Sequence, residues 1–231
     1  MNMREIQAKQ YIAEDFLVLE GIKTLRSNLM FSGMDKRIFG ITSCNASEGK
    51  STTSFQLAAS FAQLGKRVLL LDVDLRKSAV SKKFGFTEAE KGVSHYLSGL
   101  ALLDEIVYHT DIPGLDLAYA GKLVPNAAEL LASQAFKSLL ELLRDTYDYV
   151  IVDTPPLGQV IDCAVIASDL DGIVMLIDTT NNSYRMEKRI QDQLEKAGGK
   201  ILGVVLNKVD ISDKFGYYGK NKNGKYAYEN N

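Results

Sequence analysis

The residues with the greatest chemical potential fall in three short clusters. The first, Ser43-Cys44-Asn45-Ala46-Ser47-Glu48-Gly49-Lys50-Ser51-Thr52-Thr53, follows an apolar run and opens a segment with helical spacing. Its ending, Gly49-Lys50-Ser51, carries the residue types of a phosphate-binding loop. In such a loop the backbone N–H groups and a helix N-terminus face the phosphates, the lysine reaches the β/γ-phosphates, and the serine hydroxyl binds Mg²⁺. The full pattern, G-x-x-x-x-G-K-[ST], asks for glycine where Cys44 stands. The other two clusters are acidic. Asp72-Val73-Asp74-Leu75-Arg76 and Asp153-Thr154-Pro155-Pro156 each follow a short apolar run, where a carboxylate meets either a metal ion or the cap of a following helix. Three aspartates converging on one Gly-Lys-Ser loop favour the metal.

Those clusters need a scaffold that brings strand ends together. Apolar, β-branched runs recur at Ile38 to Thr42, Arg67 to Asp72, Leu115 to Ala120, Tyr149 to Asp153, Gly172 to Asp178 and Ile201 to Asn207. Most are separated by segments of helical spacing, such as Ser51 to Leu64 and Ser133 to Arg144. Continuous apolar strands alternating with helices predict an α/β fold, a mostly parallel sheet covered on both faces, whose ligands bind beyond the C-terminal strand ends. Glu14 to Phe31 reads as an amphipathic helix, with Phe16, Leu19, Ile22, Leu25 and Leu29 at helical intervals. The predicted organisation is therefore an N-terminal helical segment over 1–37, a core over 38–212 and a tail over 213–231. The tail, rich in Gly, Asn, Lys and Tyr and without apolar periodicity, is expected to be mobile.

Composition narrows the function classes. A chain of 231 residues suits one sizeable core. Its 27 basic and 29 acidic residues nearly cancel, so no overall field attracts nucleic acid or an anionic membrane. Two cysteines without C-x-x-C spacing suggest neither a disulfide framework nor structural zinc. No run approaches the ~18 apolar residues needed to span a bilayer, and Met1 to Gln10 lacks a secretory signal's apolar stretch. A cytoplasmic protein that reaches the membrane only through a partner is expected.

The clusters together resemble the bacterial tyrosine kinases, P-loop NTPases of the soluble cytoplasmic type that pair with a separate membrane adaptor in capsule and exopolysaccharide assembly. The resemblance rests on the Walker A ending Glu48-Gly49-Lys50-Ser51-Thr52, the extra Walker A′ motif Leu69 to Arg76, the Walker B segment Val150 to Pro156, and a terminal tyrosine cluster. Partition-type ATPases carry a further lysine early in the loop, where this chain has Asn45. The resemblance implies ATP and Mg²⁺ as cofactors and autophosphorylation of Tyr217, Tyr218, Tyr226 and Tyr228. Ser47, Glu48, Gly49, Lys50, Ser51, Thr52 and Asn207 would contact the nucleotide. Ser51, Asp74 and Asp153 would hold the metal, and Asp72 would take the tyrosine proton, with the roles of Asp72 and Asp74 exchangeable. Glu20, Lys23 and Arg26 stand where the family has its E-x-x-R-x-x-R oligomerisation motif, lysine replacing the first arginine. A transmembrane adaptor, a cognate phosphotyrosine phosphatase and a homo-oligomer are the partners so implied. The alternative is a nucleotide-gated scaffold or partition-type ATPase without kinase activity.

Other residues invite plainer readings. His95 and His109 have no ligand-spaced partner and read as surface or packing residues. Lys82 and Lys83 read as a solvated face, whereas Arg76 belongs to the motif. Cys44, inside the loop at a helix start, has the placement of a thiol with lowered pKa, though a small space-filling residue explains it as well.

Overall fold

Seven strands form one sheet in the order β3-β4-β2-β5-β1-β6-β7. They are β1 (Ile38–Ser43), β2 (Val68–Asp72), β3 (Tyr108–His109), β4 (Leu115–Ala118), β5 (Tyr149–Asp153), β6 (Gly172–Asp178) and β7 (Ile201–Asn207). All neighbours are parallel except the short β3, which pairs antiparallel with β4. The structure is a computed structural model and describes residues 5–87, 90–181 and 183–209. Tyr217, Tyr218, Tyr226 and Tyr228 therefore lie outside the described residues.

Strand alternation sorts the apolar side chains into two cores, as a period of two requires. Leu69, Leu71, Val150 and Val152 face one layer, packed by α4 (Val93–Leu97), α5 (Ala127–Leu131), α6 (Gln134–Thr146), α7 (Asp162–Ile166) and α8 (Tyr184–Lys196). Val68, Leu70 and Ile151 face the other, packed by α1 (Phe16–Phe31), α2 (Lys50–Ala62) and α3 (Ala79–Phe84). The central helix α2 is buried over nearly its whole length between α1 and the sheet. That position suits its small Ser, Thr and Ala side chains. Its Gln56 amide ties down the incoming chain, accepting from the Ala13 N–H at 3.1 Å and donating to the Tyr11 carbonyl at 2.7 Å.

The amphipathic reading of Glu14 to Phe31 becomes α1, capped by the Asp15 carboxylate, which accepts from the N–H groups of Leu17 and Val18. The expectation of Lys83 as part of a solvated face does not hold. Its ammonium lies 4.8 Å from the Phe55 ring and 5.2 Å from the Tyr11 ring, and burial lowers its pKa against the field of Asp153. The cause is α3, which turns this lysine back toward α2 while Lys82 stays exposed.

Candidate active site

Register brings the sequence clusters together. Asp72 and Asp153 end adjacent strands and are direct partners across them, and Asp153 is also opposite Ile41 of β1. The two carboxylates thus sit at the same strand edge as the loop between β1 and α2. Among the described residues no three Asp, Glu, His or Cys side chains are gathered closely enough to hold a metal on their own. Water and phosphate oxygens would have to complete a Mg²⁺ shell here, which is the arrangement that ion prefers.

The loop is built so that its carbonyls turn outward. Ser47 has φ of 64° and Gly49 of 100°, both in the left-handed region. A side chain at Gly49 would be strained by that dihedral and would run into the Asn207 amide. Cys44, at the position where the pattern asks for glycine, is not among the left-handed residues, so its side chain carries no backbone penalty. Its carbonyl accepts from the Gly158 N–H at 3.0 Å, an approach that leaves no room for a Cβ at residue 158. The thiol is buried, and burial followed by the charge of Glu48 pushes it up to about 11. Burial and the neighbouring carboxylate thus oppose the lowered thiol pKa that the helix-start position suggests.

Glu48 is turned inward. Its carboxylate accepts from the Cys44 N–H at 3.0 Å and from the Asn45 amide at 2.9 Å, holding the loop's first turn closed. The Asn207 amide donates to the Glu48 carbonyl at 2.8 Å, so it braces the loop from the end of β7. Lys50, Ser51 and Thr52 open α2, with Lys50 buried and Thr52 exposed. A cavity of about 350 Å³ is lined by Ser47, Gly49, Lys50, Ser51, Thr52, Asp74 and Pro155, with Arg76 and Gln159 at its side.

The carboxylates are not equivalent. Asp72 is fully buried, and burial, then the charge of Asp153, raises its pKa well above the usual range. Ser78, the N-cap of α3, donates its hydroxyl to Asp72, as does the Asp74 N–H at 3.0 Å. Burial raises Asp153 to about 6, while hydrogen bonds from Ser51 and Ser54 and the charge of Lys50 pull the other way. Asp74 is half-exposed and uses one oxygen to accept from the N–H groups of Arg76 at 3.3 Å and Lys77 at 2.9 Å. Asp74 also lines the cavity.

Several site partners are invisible to local spacing. Arg76 makes a two-pronged pair with the fully buried Asp162, at 2.8 and 3.0 Å, and so anchors the Asp72-to-Arg76 segment to α7. Asp178, Ser54 and Ser78 likewise carry no local signal; only tertiary pairing gives them their places. Of Glu20, Lys23 and Arg26, the first two pair with each other at 2.7 Å on the surface. Arg26 instead turns inward onto Ser60 of α2, at 2.8 and 2.9 Å, with its Nε buried and unpartnered among the described residues. His109, expected to be alone, meets Asp116 at 2.6 Å across the β3–β4 pair, and that carboxylate also accepts from Tyr147 at 2.9 Å. This cluster sits at the opposite edge of the sheet from the loop.

Known proteins with this arrangement point in one direction. Residues 8–200 match the family model described as AAA domain. The tyrosine-protein kinase CpsD of Streptococcus agalactiae is 41% identical over 205 residues, 87% of this chain and 90% of that protein. Among solved structures, the kinase domain of the Escherichia coli tyrosine kinase ETK superposes with a TM-score of 0.77 at 32% identity, covering 86% of this chain and 80% of that one. The septum site-determining protein MinD of Pyrococcus horikoshii, at 21% identity and a TM-score of 0.62 over 82% and 74% of the two chains, shares the fold alone. Likeness of that order over most of the sequence, together with a nucleotide-binding loop flanked by two buried aspartates, means that the chain belongs to the bacterial tyrosine-protein kinase family.

Proposed function

We propose that the chain phosphorylates its own C-terminal tyrosines, Tyr217, Tyr218, Tyr226 and Tyr228, with ATP and Mg²⁺, as a regulator of capsular or exopolysaccharide assembly. The observation that carries the site assignment is the in-register pair Asp72–Asp153 beside the Gly49-Lys50-Ser51 loop. Two carboxylates raised by burial, with hard oxygen donors from Ser51 and Asp74 nearby, form a site whose unbalanced charge fits a divalent cation. Asp153, Asp74 and Ser51 are the residues that would hold it. When bound, Mg²⁺ supplies neutralisation of charge on the β- and γ-phosphates.

The chain's own residues then have distinct tasks. The loop N–H groups and Lys50 bind and orient the phosphates. A tyrosine of pKa ~10 is a weak nucleophile at neutral pH, so Asp72 accepts its proton as the phenolic oxygen attacks the γ-phosphorus. The bond to the β,γ-bridging oxygen breaks and ADP leaves. Among the described residues no helix is long and apolar enough to cross a membrane. We infer a cytoplasmic chain recruited by a transmembrane adaptor, reversed by a phosphotyrosine phosphatase, and assembling with copies of itself through the surface that carries Glu20 and Lys23.

The test is incorporation of label from γ-labelled ATP. Label that enters the wild type and is lost when the four tyrosines are replaced by phenylalanine supports this reading. ATP turnover with an unlabelled chain, the adaptor's cytoplasmic segment being present, would instead favour a nucleotide-gated scaffold.

A further inference from the structure

The outward carbonyls of the phosphate loop must find partners, because an unpaired backbone acceptor is costly. Two successive residues at the end of β7 provide them. The Asn207 amide donates to the Glu48 carbonyl at 2.8 Å, and the Lys208 ammonium donates to the Ser47 carbonyl at 3.2 Å. Lys208 is itself anchored. Asp178, at the end of β6, accepts from the same ammonium at 2.5 Å, and Thr180 donates to the other carboxylate oxygen from both its N–H, at 3.0 Å, and its hydroxyl, at 2.6 Å. These donors hold the Asp178 carboxyl down at about 2, so the pair is ionic across the working pH range. The Lys208 backbone is fixed as well, at φ of 56°, with the Thr179 hydroxyl donating to its carbonyl at 3.0 Å.

Peptide planarity converts this bracing into aim. In a trans peptide the C=O and the next N–H point in opposite directions. Fixing the Ser47 carbonyl outward therefore directs the Glu48 N–H inward, and fixing the Glu48 carbonyl directs the Gly49 N–H likewise. We propose that Lys208, anchored by Asp178, is a positioning residue for the phosphate loop: it holds the Ser47–Glu48 peptide in the orientation that presents an N–H to the nucleotide's phosphates. The inference rests on residues 44–51 being the phosphate cradle. It adds a second brace to Asn207 and gives Ser47, a non-glycine residue in the left-handed region, a reason to stay there.

Fluorescent mant-ADP binding to the full-length chain, with Mg²⁺, tests it without requiring phosphotransfer. Lys208→Met should weaken binding about tenfold, the order expected for loss of one charge-assisted hydrogen bond. Asp178→Asn should fall between, and Lys208→Arg should recover most of the affinity. In autophosphorylation the same variants should raise KM for ATP while kcat at saturating ATP stays within about twofold, a split that general loss of structure would not give. Melting curves without nucleotide identify any variant that fails to fold; if Lys208→Met does, Asp178→Asn and Lys208→Arg decide the matter. Unchanged mant-ADP affinity in the folded variants, or a fall in kcat at constant KM, would overturn the proposal. A wild type that binds no mant-ADP would remove the phosphate-cradle reading itself.

Discussion

Replacing Asp72 by asparagine should stabilise the nucleotide-free chain while abolishing its phosphotransfer. The side chain is completely buried and faces Asp153 across the β2–β5 pair. Burial and the Asp153 charge raise its pKa well above the ordinary range, and burial raises Asp153 from 3.8 to about 6. For Asp153 alone a rise of about two units corresponds to roughly 3 kcal/mol disfavouring the ionised form in the fold. Asparagine keeps one oxygen for the Asp74 N–H, places its NH2 where the second carboxylate oxygen accepts from the Ser78 hydroxyl, which can turn to accept instead, and removes a carboxyl whose ionisation burial and the Asp153 charge oppose. We take roughly 1–3 kcal/mol as the gain. At about 2–4 °C per kcal/mol for a chain of this size, the melting temperature at pH 7 should rise by several degrees. The pH dependence has a definite sign. Because the native pKa of Asp153 lies above its unfolded value, the native state holds more protons between about pH 4 and 6, so stability falls as pH rises through that window. The variant should flatten that fall, since it removes Asp72, whose own raised pKa makes the same kind of contribution. Thermal melts from pH 4 to 7 in the absence of nucleotide and Mg²⁺ measure both effects, and autophosphorylation should drop by about 10²- to 10⁴-fold. A natively folded variant that melts below wild type at pH 7, or shows the same slope, would refute the reasoning.

Two other perturbations separate structure from chemistry. Asp162→Asn removes the charge of the fully buried partner while the Arg76 guanidinium stays partly exposed, and should cost roughly 1–2 kcal/mol in urea unfolding, with activity lost through displacement of the Asp72-to-Arg76 segment. Cys44, with its thiol pushed up to about 11, should resist iodoacetamide at pH 7.5 in the folded chain and become alkylated on unfolding, as intact-mass measurement would reveal.

The strand runs and the loop were legible because both are local. β5, β6 and β7 match their apolar runs end to end, and β1 and β2 differ from theirs by a residue. The convergence of Asp72 and Asp153 also followed from the sequence, since carboxylates that end neighbouring parallel strands must meet at one edge. What could not be read was contact between distant residues. Arg76 finds Asp162 86 positions away, and Lys208 finds Ser47 161 positions away. Neither pair leaves a periodic trace. β3 has only two residues, too few for alternation to register, and so the meeting of His109 with Asp116 went unforeseen. Arg26 fits a motif in sequence, yet its direction depends on how α1 lies on α2, which turns it onto Ser60. Lys83 was hidden by the opposite problem, a charged residue whose neighbours Tyr11 and Phe55 come from other segments.

The central claim, that the Gly49-Lys50-Ser51 loop supports transfer to the chain's own tyrosines, is tested most directly by phosphate mapping. Wild type and Lys50→Met would be incubated with ATP and Mg²⁺, with and without the adaptor's cytoplasmic segment, and analysed by mass spectrometry. Phosphate on Tyr217, Tyr218, Tyr226 or Tyr228 in the wild type and its disappearance in Lys50→Met is the expected result. Tyrosines that stay unmodified in the wild type with the adaptor segment present, or that are modified equally in Lys50→Met, would contradict the account.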